Sequence, residues 1–141
     1  MRVKRRIVTV LAATALASTA TLTTGVTAAS ADTIVDNGRA SGTAVEFAGC
    51  KGWVHWGKNL DNNQIYARAE FSLPTSTRGL PCEGWLERRV YTTDTWATVS
   101  AFHYGPDTTT GWYYDSGTYH VRVCVGDFLY WNSYSCGGSY P

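Results

Sequence analysis

The sequence predicts an all-β fold: a single antiparallel β-sandwich, immunoglobulin-like in outline and held by two disulfides, with a small barrel as the runner-up. Three observations carry this. Apolar residues recur at every second position in one short segment after another, the period of a strand with one buried face. Turn-forming residues punctuate these segments at close spacing, and no stretch sustains a helical period. Four cysteines, an even set, follow what reads as an export signal.

Arg2, Lys4, Arg5 and Arg6 make a basic start, Ile7 to Leu22 carries no charge, and Ala29–Ser30–Ala31 is an A-x-A cleavage pattern. The expectation is a secretory signal peptide over residues 1–31, cut before Asp32. A membrane anchor is the lesser alternative, because Thr and Ser dilute the apolar run. Four of the twelve Lys and Arg lie in this leader, whereas all eleven acidic residues follow it. The remaining 110 residues therefore carry a formal charge of −3. A mildly acidic domain without a basic run suits neither nucleic acid nor an anionic membrane. The expected location is extracellular.

A chain of this size suits one domain with one core. Asp32–Gly42 (DTIVDNGRASG) is polar, with Ile34–Val35 its lone apolar pair. It is expected to be a flexible N-terminal arm over residues 32–42, either simply frayed or anchored by Ile34 and Val35 in a partner's groove. The β-domain then spans 43–141. Thr43–Gly49 alternates Val45 and Phe47 with small or charged residues and reads as a first strand. Gly52–Trp56 is a second, and Asn59–Asn63 a turn cluster. Gln64–Leu73 is the cleanest strand, with Ile65, Ala67, Ala69, Phe71 and Leu73 on one face.

Pro74–Pro81 is a loop bounded by prolines. Trp85–Thr92 sets Leu86, Val90 and Thr92 against Trp85, Glu87, Arg89 and Tyr91. Trp96–Tyr104 reads as one further strand and Trp112–Tyr114 as a short aromatic one. Thr118–Val125 alternates Tyr119, Val121, Val123 and Val125, and Gly126–Asp127 offers a turn into the return segment Leu129–Cys136. Three disulfide pairings are open. Cys50–Cys82 with Cys124–Cys136 is favoured, because both close local loops between neighbouring strands.

Catalytic signatures are sparse. Neither H-E-x-x-H nor G-x-S-x-G occurs, and His55, His103 and His120 are scattered. Most Asp residues sit in turns, where Asp bends and caps backbone. The expectation is a protein that is not an enzyme, with no catalytic residue, no cofactor and no metal. The aromatic load is the stronger signal: six Trp, nine Tyr and four Phe all follow the leader, too many rings for one small core. Trp85 with Arg88 and Arg89, and the run Trp112–Tyr113–Tyr114, are the expected partner-binding residues beside Ile34 and Val35.

The layout resembles the adaptor subunits of the umbrella toxin particles: a basic leader, the Ala29–Ser30–Ala31 cut, the Asp32–Gly42 arm, then a β-domain with four cysteines. That resemblance implies secreted partners, a lectin-like subunit whose cleft receives the arm and a large toxin scaffold that adds a strand to the sandwich edge. It implies an adaptor acting in antagonism between bacteria. The chain is also similar in layout to the proteinaceous α-amylase inhibitors, but it lacks their Trp-Arg-Tyr triplet, and Trp53–Val54–His55–Trp56 does not replace it. A surface carbohydrate-binding domain stacking sugars on Trp112–Tyr113–Tyr114 is the third expectation.

Overall fold

The computed structural model describes residues 33–129 and 133–141. The expected signal peptide, Asp32 and the segment Tyr130–Trp131–Asn132 lie outside the described residues. The chain runs through β1 (Ile34–Arg39), β2 (Val45–Phe47), β3 (Cys50–Asn59), β4 (Ile65–Ser72), β5 (Cys82–Arg89), β6 (Ala97–Thr98), β7 (His103–Tyr104), β8 (Thr108–Thr109), β9 (Tyr113–Tyr114), β10 (His120–Asp127) and β11 (Tyr134–Cys136). No α-helix is present among the described residues.

Two antiparallel sheets form a sandwich. In the first, β1 and β2 share one flank of β3, β4 lies on the other, and β8 and β9 share the outer flank of β4. In the second, the order is β11, β10, β5, with β6 and β7 sharing the outer flank of β5. Each sheet thus has four lateral positions. The described residues form eleven strands rather than eight because three of the four edge positions are each filled by two short strands.

Period-two alternation builds the core. Val54, Ala67, Ala69, Phe71 and Leu73 from the first sheet meet Leu86, Val121, Val123 and Val125 from the second, and all nine are almost fully buried. The sheets approach closely at two glycines. A Cβ on Gly84 would lie 2.5 Å from the Phe71 ring, and one on Gly52 would lie 2.8 Å from a Val123 methyl. Both expected disulfides are present. Cys50–Cys82 joins β3 to β5 across the sandwich, and Cys124–Cys136 joins directly opposed residues of β10 and β11. With no cysteine left free, the fold belongs to an oxidising environment.

Several boundaries differ from the sequence reading. The expected flexible arm is, over Ile34–Arg39, an edge strand paired to β3. Its polar residues conceal it: Asp36 accepts from His55 Nδ1 at 3.1 Å and from Arg68 at 2.5 Å. Arg39 pairs with Glu70 at 2.7 Å, and the far nitrogen of His55 also meets Glu70. Gly38, at φ +92°, carries the register shift that bends the strand between Asp36 and Arg39. The turn expected at Gly126–Asp127 comes later, since β10 continues to Asp127, which pairs with Cys82 and is fully buried against Arg78. Strand β5 begins at Cys82 and stops at Arg89, leaving Val90 and Tyr91 exposed. The strand expected over Trp96–Tyr104 is interrupted where Leu86 bonds both the backbone of Val99 and the hydroxyl of Ser100.

Gly84→Ala is expected to lower stability by about 1–3 kcal/mol, because the Phe71 ring cannot move without opening the core; urea unfolding measures this, and a change below about 0.5 kcal/mol would contradict the packing. Two carboxyls shape the pH profile. The hydrogen bond from Arg39 holds Glu70 at about 2 against an ordinary 4.5, so its contribution is complete above 4.5 and lost as pH falls through about 2. Burial pushes Asp115 up to about 8 from 3.8, with Arg88 opposing part of the rise. Its contribution is complete below 3.8 and lost as pH rises through about 8. Thermal melts across that range should show both limbs; Glu70→Gln should flatten the acid one and Asp115→Asn the alkaline one.

Candidate functional site

Alternation along β5 sends Cys82, Gly84, Leu86 and Arg88 toward the first sheet and Glu83, Trp85, Glu87 and Arg89 outward. On the outer face of the second sheet this outward row forms the floor of a groove of about 360 Å³. Thr98, Phe102 and Tyr104 wall it on one side, and Phe128, Leu129 and Tyr134 on the other. Trp85 sits between Phe102, 5.1 Å away centroid to centroid, and Tyr134, 5.3 Å away. Tyr104 and Phe128 meet edge to face at 5.2 Å. Trp85 itself is buried, whereas Phe102, Tyr104, Phe128, Leu129 and Tyr134 are each about half exposed.

The two carboxylates differ. Glu87 is saturated: it accepts from Trp85 Nε1 at 2.9 Å and from Arg122 Nε at 2.8 Å, and Arg122 adds a second contact at 2.7 Å. Glu83 pairs with no cation among the described residues. Burial pushes its carboxyl up, and the neighbouring Tyr104 hydroxyl counters part of that rise. Beyond Glu87 the face turns basic. Trp96 lies between Arg89 and Arg122, whose guanidinium carbons are 4.4 and 4.3 Å from its ring centre.

Of the expected partner-binding residues, only Trp85 belongs to this groove, and it forms the floor. Ile34 is half-buried and packs over Gly57, while Val35 is exposed. Trp112 and Tyr113 are buried and Tyr114 is half-buried, so this run is not a stacking platform. Trp112 folds over Gly57 beneath Arg68, 4.7 Å from its ring centre, and Tyr114 is wedged between Tyr66 and Tyr119. Arg88 points inward, donating to the Tyr114 carbonyl at 2.9 Å and stacking on Tyr119. Arg89 is engaged by Trp96. These residues fasten the fold to itself. The aromatics were too numerous in sequence to sort without knowing which sheet face each one meets.

The groove residues that sequence reasoning missed are Phe102, Tyr104, Phe128 and Leu129, with Tyr134 noted only among the many rings. One signal was legible. Phe128–Leu129 places two large apolar residues immediately after a strand, where polar turn residues are usual. The histidines sit on different elements: His55 in β3, His103 in β7 stacked on Phe71, and His120 at the start of β10. The one convergent set of ligand-type residues among those described is Glu87 with Cys124 and Cys136. Its two sulfurs are in a disulfide, which removes them as metal ligands.

Arg122→Ala leaves the Glu87 carboxylate buried without its cation and should destabilise the fold by about 2–3 kcal/mol, read by denaturant unfolding. Arg122→Ala with Glu87→Gln should recover part of that loss. No protein-family model matches the chain, and neither a curated protein nor a solved structure matches it.

Proposed function

We propose that this chain is a secreted, non-catalytic binding protein that links subunits of an extracellular antibacterial toxin complex, and that its principal contact is the groove on the outer face of the second sheet. The observation that carries the binding reading is the gathering of Phe102, Tyr104, Phe128, Leu129 and Tyr134, all about half exposed, around one concavity. Monomeric domains seldom leave large apolar side chains contiguous and wet unless something covers them. The toxin-complex context rests on the resemblance in layout alone. In that setting the outer edge of β1, paired only to β3, is a second contact able to accept a partner strand. The Ile34–Val35 segment serves there as strand rather than as a loose anchor.

A carbohydrate-binding reading draws on the same rings and would use the groove in place of Trp112–Tyr113–Tyr114. The amylase-inhibitor reading has less support, because Trp53–Val54–His55–Trp56 lies within β3 and not on a projecting turn.

Capture from culture supernatant of the producing cells separates these readings. Wild-type protein should retain larger secreted partners. The double variant Phe128→Asp, Leu129→Asp should lose them while melting within a few degrees of wild type, since both side chains are exposed. Equal capture by the double variant, or a solitary wild-type species, would overturn the proposal. Retention of wild type on insoluble polysaccharide, lost in the variant, would favour the sugar.

A further inference from the structure

The arginines show what the groove lacks. All six arginines among the described residues stack on an aromatic ring: Arg39 on Trp53, Arg68 on Trp112, Arg78 on Phe47, Arg88 on Tyr119, and both Arg89 and Arg122 on Trp96. The five rings of the groove carry none of them. Of the groove's two carboxylates, Glu87 is taken by Arg122, whereas Glu83 meets no cation of the described residues. It is therefore an aromatic concavity with a negative group and no positive one.

We infer that the groove receives a cationic side chain, arginine or lysine, from a partner polypeptide, held between the aromatic walls and the Glu83 carboxylate. This rests on the reading of the groove as the contact surface. The chemistry is that of a cation over ring faces, strengthened where water is excluded and closed by a charge-assisted hydrogen bond. A neutral sugar fits less well. Its hydroxyls need several free directional partners, yet both oxygens of Glu87 are already engaged by Trp85 and Arg122. Its ring needs an open flat face, yet Trp85 is closed in by Phe102 and Tyr134. The rest of the occupying segment would lie across Phe128 and Leu129, whose exposure supplies apolar area beside the charged pocket.

The test uses the full mature protein and acetyl-Gly-Arg-Gly-amide, with the citrulline peptide as an uncharged match in shape, followed by two-dimensional NMR. The arginine peptide should shift the Trp85 indole and the Phe102, Tyr104 and Tyr134 signals, and leave β3 and β4 signals in place. Glu83→Gln should weaken it about tenfold. Glu46→Gln, on the distant β2 strand, should not. Raised salt should weaken the arginine peptide and spare the citrulline one. Equal shifts from the citrulline peptide, no shift from the arginine peptide at millimolar concentration, or shifts from a neutral oligosaccharide alone would each overturn the inference. If the Phe128→Asp, Leu129→Asp variant loses its secreted partner but Glu83→Gln and salt leave capture intact, the groove reading stands and the cationic occupant fails. If that double variant captures as wild type does, the groove reading itself fails.

Discussion

The sandwich depends on how closely its two sheets approach at Gly84 and Gly52. Phe71 reaches across from β4 and lies where a side chain on β5 would otherwise stand, and the methyls of Val123 and Val125 fill the equivalent space opposite β3. Close packing of this kind leaves no slack for a Cβ, so the two glycines are requirements of volume rather than of backbone freedom. Cys50–Cys82 fastens the sheets at one end of this contact, and its 32-residue loop suggests a contribution of about 3–4 kcal/mol through the unfolded chain. Once Phe71 fixes which face of β5 points inward, Glu83, Trp85, Glu87 and Arg89 must point out. The groove follows from the core.

The two outer faces are then finished differently. On the first sheet, Trp53 and Trp112 are capped by Arg39 and Arg68, and those arginines are in turn held by Glu70 and Asp36, with His55 between the carboxylates. Aromatic area there is covered by guanidinium, and each guanidinium is answered by a carboxylate. Gly57 makes room for Ile34 and Trp112 to close over β3. On the second sheet the same device operates only at Trp96 and Glu87. Toward Glu83 it stops, and rings stand open. The contrast between a sealed face and an unsealed one, built from the same residue types, is the reason to look for a ligand on the second.

Much of the fold was legible in the sequence, for a physical reason. In β4 and the first half of β10 the inner positions are apolar and fully buried while outer ones such as Arg68, Glu70 and Arg122 are polar and only partly buried, so burial writes itself as alternation, and Ala67–Ala69–Phe71 and Val121–Val123–Val125 fall on the inner face as expected. The cysteine pairing was also readable, since Cys124 and Cys136 are cross-strand neighbours. Strand β1 was not readable. It is an edge strand exposed over most of its length, held by ion pairs between residues more than thirty positions apart, such as Arg39 with Glu70. Local composition records none of that. The end of β10 was misplaced because Gly126 and Asp127 are turn formers by propensity, yet here they pair with Glu83 and Cys82.

The candidate site illustrates the harder case. Its residues come from β5, the Thr98–Tyr104 stretch, the Phe128–Leu129 step and β11, four stretches that share no motif. What unites them is which side of one sheet they stand on. Trp112–Tyr113–Tyr114 was expected as a stacking platform, but adjacency in a strand sends neighbours to opposite faces, so such a run cannot present one continuous surface. Residues two apart can, and Glu83–Trp85–Glu87 is the triplet that does. A half-exposed ring held by its neighbours also keeps fewer rotamers to lose on binding than a free one does. Phe102 and Tyr134 on either side of Trp85, and Tyr104 against Phe128, are already fixed in that way. Contact with a partner would therefore add burial without ordering the rings anew, which is the condition under which a small concavity on an otherwise finished domain can concentrate binding energy.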